Sequence, residues 1–276
     1  MGMLSINTNV GALKAADAAY SVNKSMETSM QRLSSGKRIN SAADDAAGLK
    51  ISQRQEAEIR GFAQSSRNAA DAQSLFATAE GAMGEIHNLL QRLREIAVQS
   101  SNDTNNTADR TALQTEVTQL EADIDRIRAD TTFGGISLLG FVSGGNTVTF
   151  QVGPDSGDTI AHTLPDPIHT GTLLDLNGNV SDRTGANAYI GLVDTAIDNL
   201  GTERAELGAL MNRLDYTMSN LTTMATNLTM AKGRIEDADF AAESANLART
   251  QVLQQASMSM LAQANAAKQN ILALFQ

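Results

Sequence analysis

The chain has 276 residues and an acidic balance, with a formal net charge of -10 and a pI of about 4.8. It contains no Cys, which excludes disulfides, thiolate catalysis and cysteine metal sites. Because an acidic chain without a clustered basic face is a poor partner for nucleic acid or anionic lipid, we expect no nucleic acid and no membrane as partners.

The first predicted element is a helix with a thin apolar stripe, because small and apolar residues recur at steps of three and four. Gly36 ends this helix, and a polar stretch follows. Ser41 and Asp44 are typical of a helix N-cap with an acidic first turn, so we expect the second helix from about Ala42. The stripe of the first helix consists of Ala15, Ala19, Val22, Met26, Met30 and Leu33.

The second and third predicted helices form a hairpin. The second carries a sustained apolar seam, and the third has one apolar face. The loop between them, at 101–106, is rich in residues whose side chains bond their own backbone. Helices joined by so short a loop should pack antiparallel. The seam of the second helix is Ala69, Ala72, Phe76, Ala79, Met83, Ile86, Leu90, Leu93 and Ala97, and the face of the third is Leu113, Val117, Leu120, Ile124 and Ile127.

The hydrophobic period changes after Phe133-Gly134-Gly135. Residues 147–152 alternate and are β-branched or aromatic at most positions, which predicts a strand. A turn at 154–158 and a returning strand at 159–164 follow. We therefore expect a small β-hairpin region at about 133–170, within a chain that is otherwise helical.

The longest seam lies in a helix predicted from about Asn187 to Ala231, and only Arg204 interrupts it. Heptad spacing requires a facing helix, and the long match is the seam at 69–97. The two halves of the chain are therefore predicted to lie side by side. The seam residues are Val193, Ile197, Leu200, Leu207, Met211, Leu214, Met218, Leu221, Ala225 and Leu228.

The last predicted helix has a thin stripe like that of the first helix, and the simplest interpretation pairs the two termini. Neither stripe is broad, so an isolated pair would be marginal in water, and we infer that contact with other copies completes it. The fold class is mainly α: a long antiparallel helical bundle or coiled coil with a small β-hairpin region and paired N- and C-termini. The stripe of the last helix is Leu253, Ala256, Met260, Ala264, Ala267, Ile271 and Leu274.

No residue pattern predicts chemistry. His87, His162 and His169 stand without a His-Glu-x-x-His pattern, so we interpret them as solvated or packing residues. No phosphate loop and no Gly-x-Ser-x-Gly is present. Asp44 and Asp45 are explained better by charge at a helix start than by catalysis. We expect no catalytic residue, no cofactor and no metal.

A second stripe runs along the helix at 69–97. Leu89, Arg92 and Ile96 are rotated from the seam by about 120°, at about 100° per residue. Two apolar residues around an Arg, off the core face, indicate a contact surface, which we expect to meet a neighbouring subunit. The alternative is that this stripe packs only against the helix at 113–127.

Six motifs carry a family resemblance, at 6–9, 32–49, 91–100, 150–153, 262–265 and 269–272. The longest reads Arg-Leu-Ser-Ser-Gly-Lys-Arg-Ile-Asn-Ser-Ala-Ala-Asp-Asp-Ala-Ala-Gly-Leu. On these residues the chain resembles bacterial flagellins. The resemblance implies that the termini pair in an inner coiled-coil domain and that the middle of the chain forms a helical rod. It places the arms of the inner domain at 1–42 and 235–276 and the rod, with its β-hairpin, at 43–234.

The segment between the hairpin and the returning helix is too short for a further domain, so the chain resembles a minimal, two-domain flagellin. The resemblance implies a structural subunit that polymerises into the flagellar filament for motility, is exported without a cleaved signal peptide and acts outside the cell. It also implies several partners: further copies in the homo-polymer, the flagellar export apparatus, a flagellin chaperone, the filament cap and hook-associated proteins.

Three alternatives remain. A hook–filament junction protein shares the terminal architecture, but the long match at 32–49 argues against it. An enzyme carried on the same scaffold would need an insert and a motif, and the sequence has neither. A cytoplasmic coiled-coil signalling rod would not form filaments.

Two sets of site residues follow. The polymer core is expected at Val22, Met26, Met30, Leu33, Leu253, Met260, Ile271 and Leu274. The resemblance also implies that the second stripe and the next helix match the site bound by the host Toll-like receptor for flagellin, with Ile96 where Leu is usual. We expect the same face to be a subunit interface in the filament. Its residues are Leu89, Arg92, Ile96 and Glu116.

Overall fold

The computed structural model describes residues 8–139, 146–164 and 178–273, with side chains in the last helix described as far as residue 267. The predicted mainly α fold, with a small hairpin and paired termini, is confirmed within these residues. Parts of the predicted hairpin region, at 140–145 and 165–170, lie outside them. The elements are α1 (Val10–Ser35), α2 (Ala46–Ser100), α3 (Thr107–Asp130), β1 (Thr132–Phe133), β2 (Ile136–Ser137), β3 (Asn146–Gln151), β4 (Thr159–Leu164), α4 (Arg183–Glu236) and α5 (Phe240–Ala273).

The chain divides into two compact units. The terminal unit comprises Met1–Ile59 and Thr226–Gln276, and the central unit comprises Arg60–Ala225. Both divisions fall inside long helices, so α2 and α4 contribute to each unit. The domain boundaries expected from the sequence, after residues 42 and 234, stay a prediction.

Helix α2 begins at Ala46, and the start predicted at about Ala42 is wrong. The cap is Asp45, whose carboxylate accepts hydrogen bonds from the backbone N–H groups of Ala47 and Gly48 at 3.1 and 2.8 Å. Asp44 instead closes the preceding turn by accepting from backbone N–H groups at 40 and 41. These bonds, led by the one from Ser41, lower the pKa of Asp44. Both carboxylates therefore have capping or turn-closing partners.

One apolar cluster drawn from α2, α3, α4 and the β3–β4 hairpin forms the core of the central unit. Every seam residue predicted on α2 between 69 and 97 is buried. On α4 the predicted seam residues Val193, Leu200, Leu207 and Leu214 are buried as well. The heptad pattern therefore identified the two long facing helices correctly.

Polar side chains at the edge of this core join α2 to α4. Arg204, the one residue that interrupts the α4 seam, donates two hydrogen bonds to Glu80 Oε1, at 2.6 and 3.2 Å. Arg94 donates to Asp194 at 2.5 Å on the same pair of helices. The charged interruption in the seam is thus matched by an opposite charge on the facing helix.

The hairpin lies against α2. Strands β3 and β4 pair antiparallel from Asn146↔Leu164 to Gln151↔Thr159. The Phe150 ring meets the buried Phe76 ring edge-on, with centroids 5.5 Å apart. A Cβ on Gly61 would lie 2.9 Å from the Pro154 Cβ, so the hairpin turn comes close to the helix because position 61 has no side chain.

Candidate assembly and contact surfaces

Helices α1 and α5 pack side by side in the terminal unit and run antiparallel. Asn9 Nδ2 donates to the Ala264 carbonyl oxygen at 3.2 Å, and Gln254 Nε2 donates to Asn23 Oδ1 at 2.7 Å. Residues near the start of α1 thus meet residues near the end of α5. The Cα atoms of the two helices approach within 8 Å, which small side chains at the contact permit.

The most enclosed part of this pair is polar. The Glu243 carboxylate accepts a hydrogen bond from Ser29 Oγ at 2.9 Å and one from Arg32 Nη1 at 2.8 Å. Ser29 and Glu243 are both buried. The bond from Arg32 is the main reason that the pKa of Glu243 lies below its ordinary value. No local sequence pattern predicts this cluster, because 214 residues separate Ser29 from Glu243.

The face of α5 that meets α1 is not the predicted apolar stripe. Its buried or half-buried positions recur every three or four residues, but they carry mostly polar or small side chains. Leu253 and Met260 are 44% and 65% exposed, so the expectation that the two apolar stripes pair with each other is wrong for these residues. Among the described residues of that stripe, only Ala264 is half-buried. The buried or half-buried positions of α5 are Glu243, Asn246, Leu247, Thr250, Gln254, Ser257, Leu261 and Ala264.

The predicted polymer-core residues of α1 lie nearer to its partner helix. Val22, Met26 and Leu33 are half-buried, and Met30 is exposed. The side chain of Ile271 and the whole of Leu274 lie outside the described residues. In the single chain, then, three of the predicted residues on α1 are half-buried, whereas Met30 on α1 and Leu253 and Met260 on α5 are exposed.

Two backbone hydrogen bonds link the segment after α1, at 36–38, to the segment before α5, at 236–238. Gly36 ends α1 in the left-handed conformation, with φ of 71°. Its carbonyl oxygen accepts from Ala238 N at 3.0 Å, and Arg38 N donates to the Glu236 carbonyl oxygen at 2.6 Å. Lys37 forms an ion pair with the Glu236 side chain. The motif at 32–49 therefore contributes backbone and side-chain partners to the segment that precedes α5.

The second predicted surface lies on α2 and α3 in the central unit. The Arg92 guanidinium donates to Glu116 Oε1 at 2.8 and 3.1 Å, and to Glu95 at 3.1 Å. The bonds with Glu116 raise the pKa of Arg92 above its ordinary value. Two predicted surface residues on different helices are thus brought together in an exposed, charged contact.

The two apolar members of that stripe are placed differently. Leu89 is half-buried against the core cluster, and Ile96 is 0% exposed within it. The expectation that Ile96 lies off the core face is wrong. Residues of α3 join the same cluster, so α2 has apolar contacts toward α3 as well as toward α4. Of the residues predicted for this surface, Arg92 and Glu116 are exposed, Leu89 is half-buried and Ile96 is buried.

Long-range hydrogen bonds join the start of α4 and the segment before it to α2 and α3. The Tyr189 hydroxyl donates to Glu121 Oε1 at 2.7 Å, and burial raises the pKa of both groups. Val180 N donates to Gln114 Oε1 at 2.7 Å, and its carbonyl oxygen accepts from Ser100 Oγ at 2.5 Å. These long-range partners were not predicted from the sequence.

The two described histidines have packing or surface contacts. The His162 ring meets the Phe76 ring edge-on at 5.6 Å, and burial lowers its pKa. His87 is within hydrogen-bonding distance of Gln91, at 2.9 Å. His169 lies outside the described residues. In the described part of the chain, no group of His, Cys, Asp or Glu is placed to hold a metal ion, and no helix is long and apolar enough to cross a membrane.

Two protein-family models match the chain. The one described as "Bacterial flagellin N-terminal helical region" matches residues 6–143, and "Bacterial flagellin C-terminal helical region" matches residues 190–275. A flagellin of Halalkalibacterium halodurans is 43% identical, over 98% of this chain and 99% of that protein. The "Flagellar filament 33 kDa core protein" of Treponema phagedenis is 38% identical with the same coverage.

Two solved structures are similar. A crystal structure of Bacillus cereus flagellin is 39% identical, covers 60% of this chain and 94% of its own, and superposes with a TM-score of 0.50. The structure of a putative flagellar hook-associated protein from Vibrio parahaemolyticus has a TM-score of 0.59 and covers 70% of this chain and 100% of its own. The second is 17% identical, so that likeness concerns the fold alone.

Proposed function

The chain belongs to the bacterial flagellin family and is a structural subunit of the flagellar filament, and we propose that its α1·α5 pair is the core of that polymer. The observation that carries this proposal is the exposed apolar stripe of α5, which includes Leu253 and Met260. Exposed apolar side chains that recur on one helix face are typical of an interaction surface. The occupant of that surface is a second copy of this chain, since the family polymerises.

The proposal assigns a domain to each part of the chain. The arms at 1–42 and 235–276 form the inner domain, and 43–234 forms the rod with its hairpin. The subunit acts outside the cell and is not an enzyme. Its further partners are the export apparatus, a flagellin chaperone, the filament cap and hook-associated proteins. A role as a hook–filament junction protein is not favoured, because relatives matched over their whole length are named flagellin or filament core protein.

Removing both arms tests the polymer core. We expect a chain without 1–42 and 235–276 to stay helical by circular dichroism and monomeric by light scattering, while the full chain forms filaments visible by electron microscopy. Filaments of the shortened chain would show that the arms are not the polymer core. In the full chain, Leu253→Asp should abolish filaments, because it places a charge in the contact.

A second surface of the same subunit is proposed at Leu89, Arg92, Ile96 and Glu116, where Arg92 and Glu116 are exposed, Leu89 is half-buried and Ile96 is buried. It is an exposed ion pair across two helices, next to half-buried apolar area. The family resemblance associates this position with the host Toll-like receptor for flagellin. We propose that the monomer activates this receptor and that a neighbouring subunit covers the same face in the filament.

Single substitutions test the receptor surface. Arg92→Ala and Glu116→Ala should each weaken receptor activation by the monomer about tenfold, the loss expected when one good polar contact is removed. Arg94→Ala is the matched control, because Arg92 and Arg94 are 49% and 48% exposed and each is ion-paired. Its partner is Asp194 on α4 rather than Glu116 on α3. Undiminished activation by Arg92→Ala, or an equal loss in the control, would remove the proposal.

A further inference from the structure

The methionines of this chain differ sharply in their access to solvent. Met260 and Met258 on α5 are 65% and 57% exposed, whereas Met83 on α2 is 0% exposed. Peroxide reaches an exposed thioether sulfur far more readily than a buried one, and the product is methionine sulfoxide. A mild oxidant should therefore modify α5 before it modifies the core of the central unit.

The two exposed methionines of α5 lie on different faces. At about 100° per residue their side chains project about 160° apart. Met260 shares its face with Val252, Leu253 and Ala256, all of which are exposed. The neighbours of Met258 at three and seven residues before it are Gln255 and Gln251. Met260 thus belongs to the apolar stripe proposed as the polymer contact, and Met258 does not.

We propose that Met260 is an oxidation site at which peroxide blocks the assembly of this subunit. This inference rests on the proposed function, because it takes the stripe on α5 as a contact between copies. One oxygen atom of hydrogen peroxide bonds to the sulfur as the O–O bond breaks. The thioether is oxidised by two electrons to the sulfoxide, and the peroxide is reduced to water.

The consequence follows from the polarity of the product. A sulfoxide is a strong hydrogen-bond acceptor, and an apolar contact between copies offers it no donor. The free subunit exposes the sulfur, and the contact with a second copy covers it. Oxidation therefore acts on unassembled subunits, and subunits already in a filament are protected at this position.

The experiment compares three full-length chains: wild type, Met260→Leu and Met258→Leu. Leu keeps the apolar volume and cannot be oxidised. Each monomer is treated with hydrogen peroxide, its sulfoxides are located by peptide mass spectrometry, and its assembly is measured by sedimentation and electron microscopy. Each oxidised chain is compared with the same chain before treatment. We expect oxidation to raise the critical concentration for assembly about tenfold in wild type and in Met258→Leu, and by a clearly smaller factor in Met260→Leu. We also expect Met260 in filaments to oxidise more slowly than in monomers, while Met83 stays unmodified in both.

Two outcomes distinguish a failure of the Met260 oxidation site from a failure of the proposed polymer contact on α5. Normal assembly of wild type that carries sulfoxide at position 260, together with failure of unoxidised Leu253→Asp, would overturn the oxidation site and leave the polymer contact in place. Normal assembly of Leu253→Asp would overturn the polymer contact itself. Protection by Met258→Leu but not by Met260→Leu would assign the effect to the other face of α5 and overturn the inference.

Discussion

The central unit and the α1·α5 pair use apolar side chains in opposite ways. In the central unit the large apolar residues along the seam of α2 and α4, such as Phe76, Met83 and Leu207, are fully buried. In the terminal pair, buried Ser29 and Glu243 meet each other, and Leu253 and Met260 are exposed. The first arrangement completes a core within one chain. The second leaves apolar area exposed in the single chain.

The difference has an energetic consequence. Full burial of a Leu or Met side chain contributes about 1.5–3 kcal/mol, whereas a net intramolecular hydrogen bond contributes about 0.5–1.5 kcal/mol. The central unit therefore gains most of its stability from its own core. The terminal pair gains alignment from specific polar partners such as Asn23 and Gln254 and less stability from apolar burial. In the single chain the apolar stripe of α5 stays exposed, and the proposed polymer contact would bury it.

The same substitution at two leucines gives the largest expected contrast. Leu207→Ala removes a fully buried side chain of α4 and should lower the free energy of unfolding by about 2–5 kcal/mol in urea titrations. Leu253→Ala removes an exposed side chain and should change it by less than about 0.5 kcal/mol. Filament assembly should be affected in the reverse order. Among folded chains, Leu253→Ala should clearly reduce assembly, and Leu207→Ala should reduce it less. Equal destabilisation by the two variants would contradict the comparison.

The polar cluster of the terminal pair should have an intermediate effect. Glu243→Gln weakens the bonds from Ser29 and Arg32 and should lower the opening free energy of α1 and α5 amides by about 1–3 kcal/mol. Hydrogen exchange measured by mass spectrometry reads this change separately in each helix. Glu27→Gln, at an exposed position of α1, is the control and should change nothing. Unchanged exchange in Glu243→Gln would show that the cluster does not hold the pair.

Acid should act on the same cluster. The folded-state pKa of Glu243 is below its ordinary value, mainly because Arg32 donates to the carboxylate. Its contribution to stability is therefore fully present above the ordinary carboxyl pKa and is lost as pH falls through the lowered one. We expect protection of α1 and α5 amides in the wild type to fall in that range, and the fall to be smaller in Glu243→Gln. Equal pH dependence in the two chains would exclude Glu243 as the cause.

The sequence was informative where the fold depends on local repetition. The heptad steps of α2 and α4 are regular, so their seam could be read from the sequence before any contact was known. Ile96 was misplaced because the period of one helix does not show which of its two apolar stripes is buried, although packing against α3 was the stated alternative. The cluster around Glu243 could not be predicted, since its partners lie far apart in sequence and each looks like an ordinary surface residue. Polar contacts of this kind leave no periodic pattern in the sequence.

The smallest expected effect concerns Arg204 and Glu80, the charged pair inside the central seam. Both side chains are about one third exposed, at 35% and 36%, so solvent screens their attraction and the pair should contribute only about 0.5–1 kcal/mol. Either Glu80→Arg or Arg204→Glu places like charges opposite each other across α2 and α4. The double exchange restores opposite charges in reversed order. In urea titrations we expect each single variant to be less stable than the wild type and the double variant to recover most of the loss, giving a favourable coupling energy. A double variant no more stable than the worse single variant would mean that Arg204 is retained for the packing of its aliphatic part rather than for its charge.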